Sequence, residues 1–315
     1  MSLDELAQQL KILRHEKNPE PLWSQIAYGG LSKKSQSEYQ QQNFQLYSGK
    51  VREMVARPDD ILMIHTDRLS AFDRYISLVP GKGIILAAIN EFWFGLLHKN
   101  KITTHYLERT DARTLRVMKT KPIKAEVVVR GYLAGSMLRA YQKGERSFCG
   151  VTLPEGLSPY QKLSQPIITP TTKAAAFEHD ENISTKDLVN AGVCTEKEWA
   201  DIESQSLKIF GIGQTVLHKI GWMLADTKYE FGKLPSGEII LIDEVHTPDS
   251  SRFWNAANYD ARLAQGEAPV MFDKENIRRY LISQNFSGIG EVPAVPPNLL
   301  LDLAETYLFV AKNLN

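Results

Sequence analysis

The sequence has only two cysteines among its 315 residues, and no apolar run that approaches the length of a membrane span. Cys149 and Cys194 are too few for a disulfide framework, and their spacing is not that of metal ligands. The longest apolar run, residues 84–89, is far shorter than the roughly 20 residues that a spanning helix needs. These features exclude a disulfide scaffold and favour a reducing, cytoplasmic setting.

An excess of charge of either sign is also missing, since 37 lysines and arginines balance 37 acidic residues. That balance argues against nucleic acid or an anionic membrane as the main partner. The N-terminal segment "MSLDELAQQLKILRHEK" lacks the apolar core of a secretory signal. The seven histidines show no zinc-ligand spacing, and no G-x-S-x-G elbow is present. Zinc chemistry and covalent hydrolysis are therefore unsupported.

Hydrophobic patterning predicts an α+β protein with two lobes. Short strands fill residues 44–129, with one helix near 82–98 and a polar, mobile connection over 32–45. Helices follow Ser136, and the last is expected over 297–313. A long helix over about 195–221 has a buried stripe of Trp199, Ile202, Ile209, Val216, Leu217 and Ile220. We expect the N-terminal extension and a β-rich lobe over 1–120, and an α/β lobe over 121–315.

The stretch "SGKVREMV", residues 48–55, places Gly49 and Lys50 at a predicted hairpin turn. A lysine just past a glycine can reach over the turn to a phosphate as a point charge. The stretch is not a full P-loop, because the second glycine and the Lys-Ser/Thr pair are missing. A solvated turn explains the residues as well, so the stretch alone leaves the choice open.

A second hairpin is predicted from "WMLADTKYEF" and "EIILIDEV" around the turn "GKLPSG". The two-residue period places Asp226, Lys228 and Glu230 on one face of its first strand. On its second strand Asp243 is expected to share a face with Leu241 and Val245. Carboxylates from adjacent strands, with a lysine nearby, suit Mg²⁺ and a nucleotide phosphate. An exposed strand face with a surface Lys–Glu pair is the alternative.

Two further stretches have a binding interpretation and a structural one. "HTPDSSRFW" places Arg252 after a turn rich in hydroxyl groups, which suits a phosphate ester or an ordinary capped loop. "VVVRGYLAGS" runs from a strand through Arg130 to Ser136 at a predicted helix start. Free amides there favour an anion, although structural glycines and a serine N-cap explain it nearly as well.

Together the motifs resemble one family, the phosphoribosylaminoimidazole-succinocarboxamide (SAICAR) synthetases. Eight blocks occur in order: "YSGKVRE", "TDRLSAFD", "PGKG", "EVVVRGYLAGS", "TPTTKA", "HDENIS", "DTKYEFG" and "IDEVHTPDSSRFW". The resemblance implies a β-rich lobe and an α/β lobe with ATP in the cleft between them. It also implies a ligase of purine biosynthesis that joins L-aspartate to the carboxylate of a phosphoribosyl aminoimidazole, converting ATP to ADP and phosphate.

The resemblance also implies roles for single residues. ATP would contact Gly49, Lys50, Lys119, Lys121, Ile123, Lys228 and Glu230, with adenine against the backbone of 119–123. The imidazole nucleotide and aspartate would contact Asp73, Glu126, Arg130, Ser136, Lys173, Asp180 and Arg252. Of these, Arg130, Ser136 and Arg252 would bind the 5′-phosphate. Glu230 and Asp243 would hold Mg²⁺, and Lys50, Lys228 and Asp243 would be catalytic. Glu53 and Thr171 depart mildly from the family pattern.

The expected chemistry is phosphorylation of the substrate carboxylate, followed by attack of the aspartate amine on the acyl phosphate. Attack of the amine before phosphoryl transfer remains open. A small-molecule kinase is the rival interpretation, and a nucleotide sensor without catalysis is the third. The partners are expected to be small molecules, not nucleic acid or membrane. The oligomeric state is left open, with a monomer preferred.

Overall fold

The computed structural model describes residues 1–17, 19–173 and 181–314, and the chain forms two compact units. The first unit comprises Met1–Asn100, His105–Lys119 and Asp273–Asn315, and the second comprises Lys101–Thr104 and Thr120–Phe272. The sequence-based division had placed residues 273–315 with the second lobe. They lie in the first unit because the C-terminal helix packs against the first and fourth helices.

The elements follow one another in an α+β arrangement, as predicted. The helices are α1 Leu3–His15, α2 Glu20–Ile26, α3 Lys33–Gln41, α4 Lys82–Lys99, α5 Gly135–Gln142, α6 Thr185–Asn190, α7 Glu196–Lys219, α8 Tyr259–Ala264, α9 Glu275–Ser283 and α10 Pro297–Leu314. The strands are β1 Gln45–Ser48, β2 Arg52–Ala56, β3 Asp60–His65, β4 Arg68–Ala71, β5 Arg74–Leu78, β6 Tyr106–Arg109, β7 Thr114–Met118, β8 Lys121–Tyr132, β9 Ser147–Phe148, β10 Val151–Thr152, β11 Lys162–Thr172, β12 Trp222–Lys233, β13 Ile239–Ile242 and β14 Ser251–Asn255.

The first unit contains an antiparallel sheet in the order β1-β2-β3-β7-β6, with β4 and β5 as a separate hairpin. The short strands predicted over 44–129 are confirmed by these elements. The mobile connection predicted over 32–45 is wrong, because residues 33–41 form α3. The Ser32 side chain caps that helix by accepting a hydrogen bond from the Ser35 amide at 3.1 Å.

Helix α4 of the first unit is buried nearly all round, as its run of isoleucines, leucines and aromatics predicts. A helix start leaves amide groups without partners. Here the fully buried carboxylate of Asp67 accepts hydrogen bonds from the amides of Gly83 at 2.7 Å and Gly81 at 3.1 Å. Among the described residues, no helix is both long and apolar enough to cross a bilayer.

The second unit is built on an antiparallel sheet in the order β11-β8-β12-β13, with β14 also paired to β12. Helix α7 packs against β12, β8 and β13, and a capping box of Thr195 and Glu198 fixes its start. Most of its predicted stripe is buried, but Ile220 is 37% exposed. The prediction is wrong there because the helix ends at Lys219.

Candidate active site

The polar site of the second unit lies on one face of its sheet, which we call the front face. In an antiparallel pair, residues directly opposite each other point to the same side. Strands β8 and β12 align the pairs Glu126–Glu230, Val128–Lys228 and Arg130–Asp226. The predicted alternation along β12 is therefore confirmed. Tyr229 and Thr227 point to the back face.

One end of the front face carries two arginines that share a carboxylate. Asp226 Oδ2 lies 2.7 Å from Arg252 Nη1 and 3.5 Å from Arg130 Nη1. Arg130 also donates through Nε to the Thr169 hydroxyl at 2.8 Å and through Nη2 to the Ser136 hydroxyl at 3.0 Å. We call Arg130, Ser136, Asp226 and Arg252 the arginine clamp. It brings together the three residues predicted to bind a phosphate.

Counted over its four residues, the arginine clamp has two guanidinium groups and one carboxylate, a formal excess of one positive charge. Burial lowers the pKa of Arg130 to about 10, and the charge of Arg252 adds to the effect against the opposing influence of Asp226. Arg130 therefore stays cationic at neutral pH. A phosphate monoester would neutralise this excess and accept charge-assisted hydrogen bonds.

A glycine with a left-handed backbone lies close beside the clamp. Gly135 has φ +59°, and a Cβ there would lie 2.8 Å from both terminal nitrogens of Arg252. Helix α5 has Ala134 at its N-cap, so the alternative interpretation of Ser136 as an N-cap is wrong. Ser136 lies in the first turn and contacts Arg130 instead.

The other end of the front face places two glutamates opposite each other, an arrangement that repels unless cations lie between. Lys228 Nζ lies 2.6 Å from Glu126 Oε1 and 2.8 Å from Glu230 Oε1. Lys173 pairs with the second carboxylate oxygen of Glu230. Glu230 is only 6% exposed. We call Glu126, Lys173, Lys228, Glu230 and Asp243 the carboxylate cluster.

Asp243 reaches this cluster by a route that the sequence pattern did not predict. Strand β13 ends at Ile242, which lies opposite Glu230, and Asp243 follows with φ +70°. The predicted alternation through Val245 is therefore wrong. Burial alone would lower the pKa of Lys228, but Glu230, Glu126 and Asp243 together raise it well above its ordinary value. Lys228 is thus a permanent cation among carboxylates.

The donor set of the carboxylate cluster fits magnesium. Mg²⁺ takes hard oxygen ligands and is commonly held by one or two carboxylates, with substrate phosphates and water completing its shell. Glu230 and Asp243 can supply those two carboxylates. In the part of the chain that the structure describes, no three acidic, histidine or cysteine side chains form a ready metal cage.

On the back face of the sheet, a hydrogen bond joins β12 to the segment that follows Asp243. Tyr229 Oη and His246 Nε2 are 2.5 Å apart, and both side chains are fully buried. Burial lowers the pKa of His246 to about 3, so the imidazole is neutral at physiological pH. Since His246 lies in the segment between Asp243 and Arg252, this contact ties that segment to β12.

The first unit contains a further pair of predicted site residues. The hairpin of β1 and β2 places Lys50 in its turn, as predicted, and Lys50 Nζ lies 2.6 Å from Asp73 Oδ1. Each side chain is about one third exposed, at 33% and 35%. The resemblance assigned these two residues to different substrates, whereas the structure joins them in one ion pair.

Comparison with known proteins supplies the family. A family model described as SAICAR synthetase matches residues 45–293. The chain belongs to the SAICAR synthetase family. The phosphoribosylaminoimidazole-succinocarboxamide synthase of Legionella pneumophila strain Paris is 40% identical over 270 residues, covering 83% of this chain and 85% of the relative.

Solved structures of SAICAR synthetases share the fold. The SAICAR synthase from Saccharomyces cerevisiae, complexed with SAICAR, is 32% identical with a TM-score of 0.73, covering 86% of this chain and 94% of that one. A type-2 SAICAR synthetase in complex with ADP is 28% identical with a TM-score of 0.62, covering 80% of this chain and 100% of that one. The α+β fold predicted from the resemblance is thereby confirmed.

The residues predicted from the SAICAR synthetase resemblance fall into separate groups. Eight lie in the arginine clamp or the carboxylate cluster: Glu126, Arg130, Ser136, Lys173, Lys228, Glu230, Asp243 and Arg252. Gly49, Lys50, Asp73 and Lys119 lie in the first unit, where Lys119 Nζ donates to the Pro58 carbonyl at 2.8 Å. Lys121 and Ile123 begin β8. Asp180 lies outside the described residues.

Sequence reasoning missed the role of Asp226 and Thr169 in this SAICAR synthetase. The period of β12 placed Asp226 on the front face but gave it no partner. Its link to Arg130 and Arg252 follows from the pairing of β12 with β8 and β14, and Thr169 enters through the pairing of β11 with β8. A proposed order of strands would have revealed both.

Proposed function

We propose that this SAICAR synthetase joins L-aspartate to the carboxylate of 5-amino-1-(5-phosphoribosyl)imidazole-4-carboxylate in purine biosynthesis. The products are the succinocarboxamide, ADP and phosphate. The observation that carries the proposal is that one sheet face holds two sites, the arginine clamp and the carboxylate cluster. Asp226 of the clamp and Glu230 of the cluster lie four residues apart on β12. The clamp suits the phosphate of a nucleotide, and carboxylates with lysines suit Mg²⁺ and the phosphates of ATP.

The arginine clamp would bind the 5′-phosphate of the imidazole nucleotide. Arg130 is held at 4% exposure by Asp226, Thr169 and Ser136, so its guanidinium is oriented before substrate arrives. Such pre-organisation lowers the entropy cost of binding. The complex of the yeast relative with SAICAR, a ribonucleotide, supports a nucleotide site in this fold.

The carboxylate cluster would bind the transferring phosphoryl group of ATP. Lys50, in the first unit, would make the contact with ATP phosphates that the family resemblance implies. Glu230 and Asp243 would hold Mg²⁺, which supplies neutralisation of phosphate charge when bound. Lys228 lies within hydrogen-bond reach of both Glu126 and Glu230, and its raised pKa keeps it charged for the transfer. The complex of a relative with ADP supports ATP as the co-substrate.

The chemistry follows from the weakness of a carboxylate as an acylating agent. Transfer of the γ-phosphoryl group to a carboxylate oxygen gives an acyl phosphate and ADP. The neutral amine of aspartate then attacks the acyl carbon, the carbon–oxygen bond to phosphate breaks, and the nitrogen loses a proton. Lysines around the phosphoryl group lower the barrier chiefly by positioning and electrostatics. Lys228, whose pKa is raised well above its ordinary value, can do this without exchanging a proton.

The test of this proposal is release of ADP with each substrate omitted in turn. A ligase requires aspartate and the imidazole nucleotide together before sustained ADP release and succinocarboxamide appear. A kinase acting on the nucleotide would release stoichiometric ADP without aspartate and would form a stable phosphorylated product. Sustained turnover in the absence of aspartate would overturn the ligase assignment.

The setting proposed for this reaction is the cytoplasm, with small molecules as the partners. Cys149 and Cys194 are both free thiols, which suits a reducing compartment.

A further inference from the structure

We infer that Arg68 is a positioning residue that shapes the turn of residues 49–52 for phosphate binding. The inference rests on the proposed function, which assigns Lys50 in that turn to the phosphates of ATP. No role was predicted for Arg68 from its place in the block "TDRLSAFD". Among the described residues, its hydrogen-bond partners lie within the first unit.

The guanidinium of Arg68 uses all of its donors. An arginine has five N–H groups in a fixed planar fork. Nε donates to the Lys50 carbonyl at 3.2 Å, and Nη2 donates to the carbonyls of Gly49 at 3.0 Å and Arg52 at 3.1 Å. Nη1 donates to the Gly29 carbonyl at 2.8 Å and to Glu53 Oε1 at 2.5 Å. With every donor engaged, Arg68 has none left for a substrate.

These bonds turn the carbonyl oxygens of the 49–52 turn towards Arg68. The one carbonyl that Arg68 does not bind, that of Val51, accepts from the Thr66 amide at 3.2 Å and the Thr66 hydroxyl at 2.7 Å. In the described part of the chain, the amides of Lys50 and Val51 have no hydrogen-bond acceptor. Successive amides that point away from bound carbonyls form a concave site for anions. Arg68 thereby directs backbone donors, beside the Lys50 ammonium, towards a phosphate.

The surroundings enclose the Arg68–Glu53 ion pair closely. Gly30 has φ +141°, and a Cβ there would lie 2.7 Å from Glu53 Oε1 and 2.9 Å from Arg68 Nη1, so the ion pair is enclosed closely. Glu53 also accepts from the Ser48 hydroxyl at 3.0 Å, which ties the pair to the strand before the turn. A lysine offers three donors from one atom and cannot reach carbonyls on opposite sides of the fork.

The test compares Arg68→Lys with wild type and with Arg57→Lys. Arg57 lies at the neighbouring turn, where it forms a two-point pair with Asp60 at 2.6 and 2.7 Å, and serves as the matched control. We expect Arg68→Lys to raise the KM for ATP roughly 10- to 100-fold, as for the loss of charge-assisted hydrogen bonds. The kcat, and the KM values of aspartate and the nucleotide, should change little. Arg57→Lys should leave all of them unchanged.

Hydrogen exchange of the 49–52 turn provides a readout besides activity. ADP should slow exchange of these amides in wild type and in Arg57→Lys, and should fail to do so in Arg68→Lys. Free guanidinium at millimolar concentration should restore ATP affinity to Arg68→Ala, whereas ammonium should not. Thermal unfolding of each variant shows whether that variant is folded. If Arg68→Ala does not fold, the test depends on Arg68→Lys alone.

The outcomes separate this inference from the proposed function. Wild-type ATP kinetics in Arg68→Lys, while Lys50→Ala is impaired, would overturn the inference and leave the ATP role of the turn intact. Equal losses for all three substrates, with a lowered melting temperature, would also overturn it, because Arg68 would then serve stability alone. If the wild-type turn gains no protection from ADP and Lys50→Ala is normal, the assignment of ATP to Lys50 fails and the inference fails with it.

Discussion

Replacing Arg252 by alanine should weaken binding of the imidazole nucleotide by roughly 10- to 150-fold. The estimate follows from the arginine clamp, where Arg252 is 16% exposed and shares Asp226 with Arg130. Within the four clamp residues its removal leaves one guanidinium and one carboxylate, so the formal excess of positive charge that would attract the phosphate disappears. Loss of a charge-assisted hydrogen bond costs about 1.5 to 3 kcal/mol, which gives that range.

The decisive assay is a cycle that combines this variant with a nucleoside substrate lacking the 5′-phosphate. We expect dephosphorylation to impair wild type strongly and to add little to Arg252→Ala, because each change removes the same contact. The KM values of ATP and aspartate should stay near those of wild type. Arg146→Ala is the matched control in the same unit, since that arginine pairs with Glu155 at 2.8 Å, is 32% exposed and lies outside the clamp.

Losses that simply multiply would refute the reasoning. The variant and the dephosphorylated substrate would then act independently, and Arg252 would not contact the 5′-phosphate. A similar fall for Arg146→Ala would show that a diffuse positive field, not the clamp, attracts the nucleotide.

Three other predictions concern separate parts of the molecule. Lys50→Ala should raise the KM for ATP far more than that of the nucleotide, and equal kinetic constants would identify a solvated turn. Asp243→Asn and Glu230→Gln should each keep the fold but weaken Mg²⁺-dependent turnover, so an unchanged magnesium titration would contradict the metal assignment. Because the pKa of His246 is lowered to about 3 in the folded state, the unfolded chain binds a proton first as the pH falls below about 6.5. The contribution of His246 to folding stability should therefore fall by about 1.4 kcal/mol per pH unit from about pH 6.5 down to about pH 3, and His246→Gln should show a shallower decline in chemical denaturation.

The hydrophobic pattern of the sequence predicted most helices and strands. It failed where the chain departs from the regular repeat of a helix or a strand. The alternation of Asp226, Lys228 and Glu230 identified the front face because a strand repeats every two residues. It could not place Asp243, since a single left-handed residue after β13 reverses the direction of its side chain. Polar residues 32–45 suggested a connection because α3 buries none of its side chains and so has no apolar stripe.

The residues of the candidate site could be predicted from the sequence, but the contacts among them could not. The motif blocks named Arg130 and Arg252 through resemblance, but no spacing in the sequence shows that both contact Asp226. That information lies in the order of β8, β12 and β14, because Arg130 reaches Asp226 from 96 residues away and Arg252 reaches it from 26 residues away. The ion pair of Lys50 with Asp73, 23 residues apart, likewise depends on the fold and not on a local period.

The regular stretch of β12 between Asp226 and Glu230 fixes the distance between the arginine clamp and the carboxylate cluster. Register shifts occur on either side of these residues, but none interrupts their pairing with Arg130 and Glu126. At about 3.3 Å per residue, the four steps span about 13 Å. If a ribonucleotide binds with its phosphate at the arginine clamp, the backbone of β12 between Asp226 and Glu230 fixes how far the carboxylate cluster lies from that phosphate. An analogue with an extra methylene before its acid would place that acid farther along the front face than the natural substrate does.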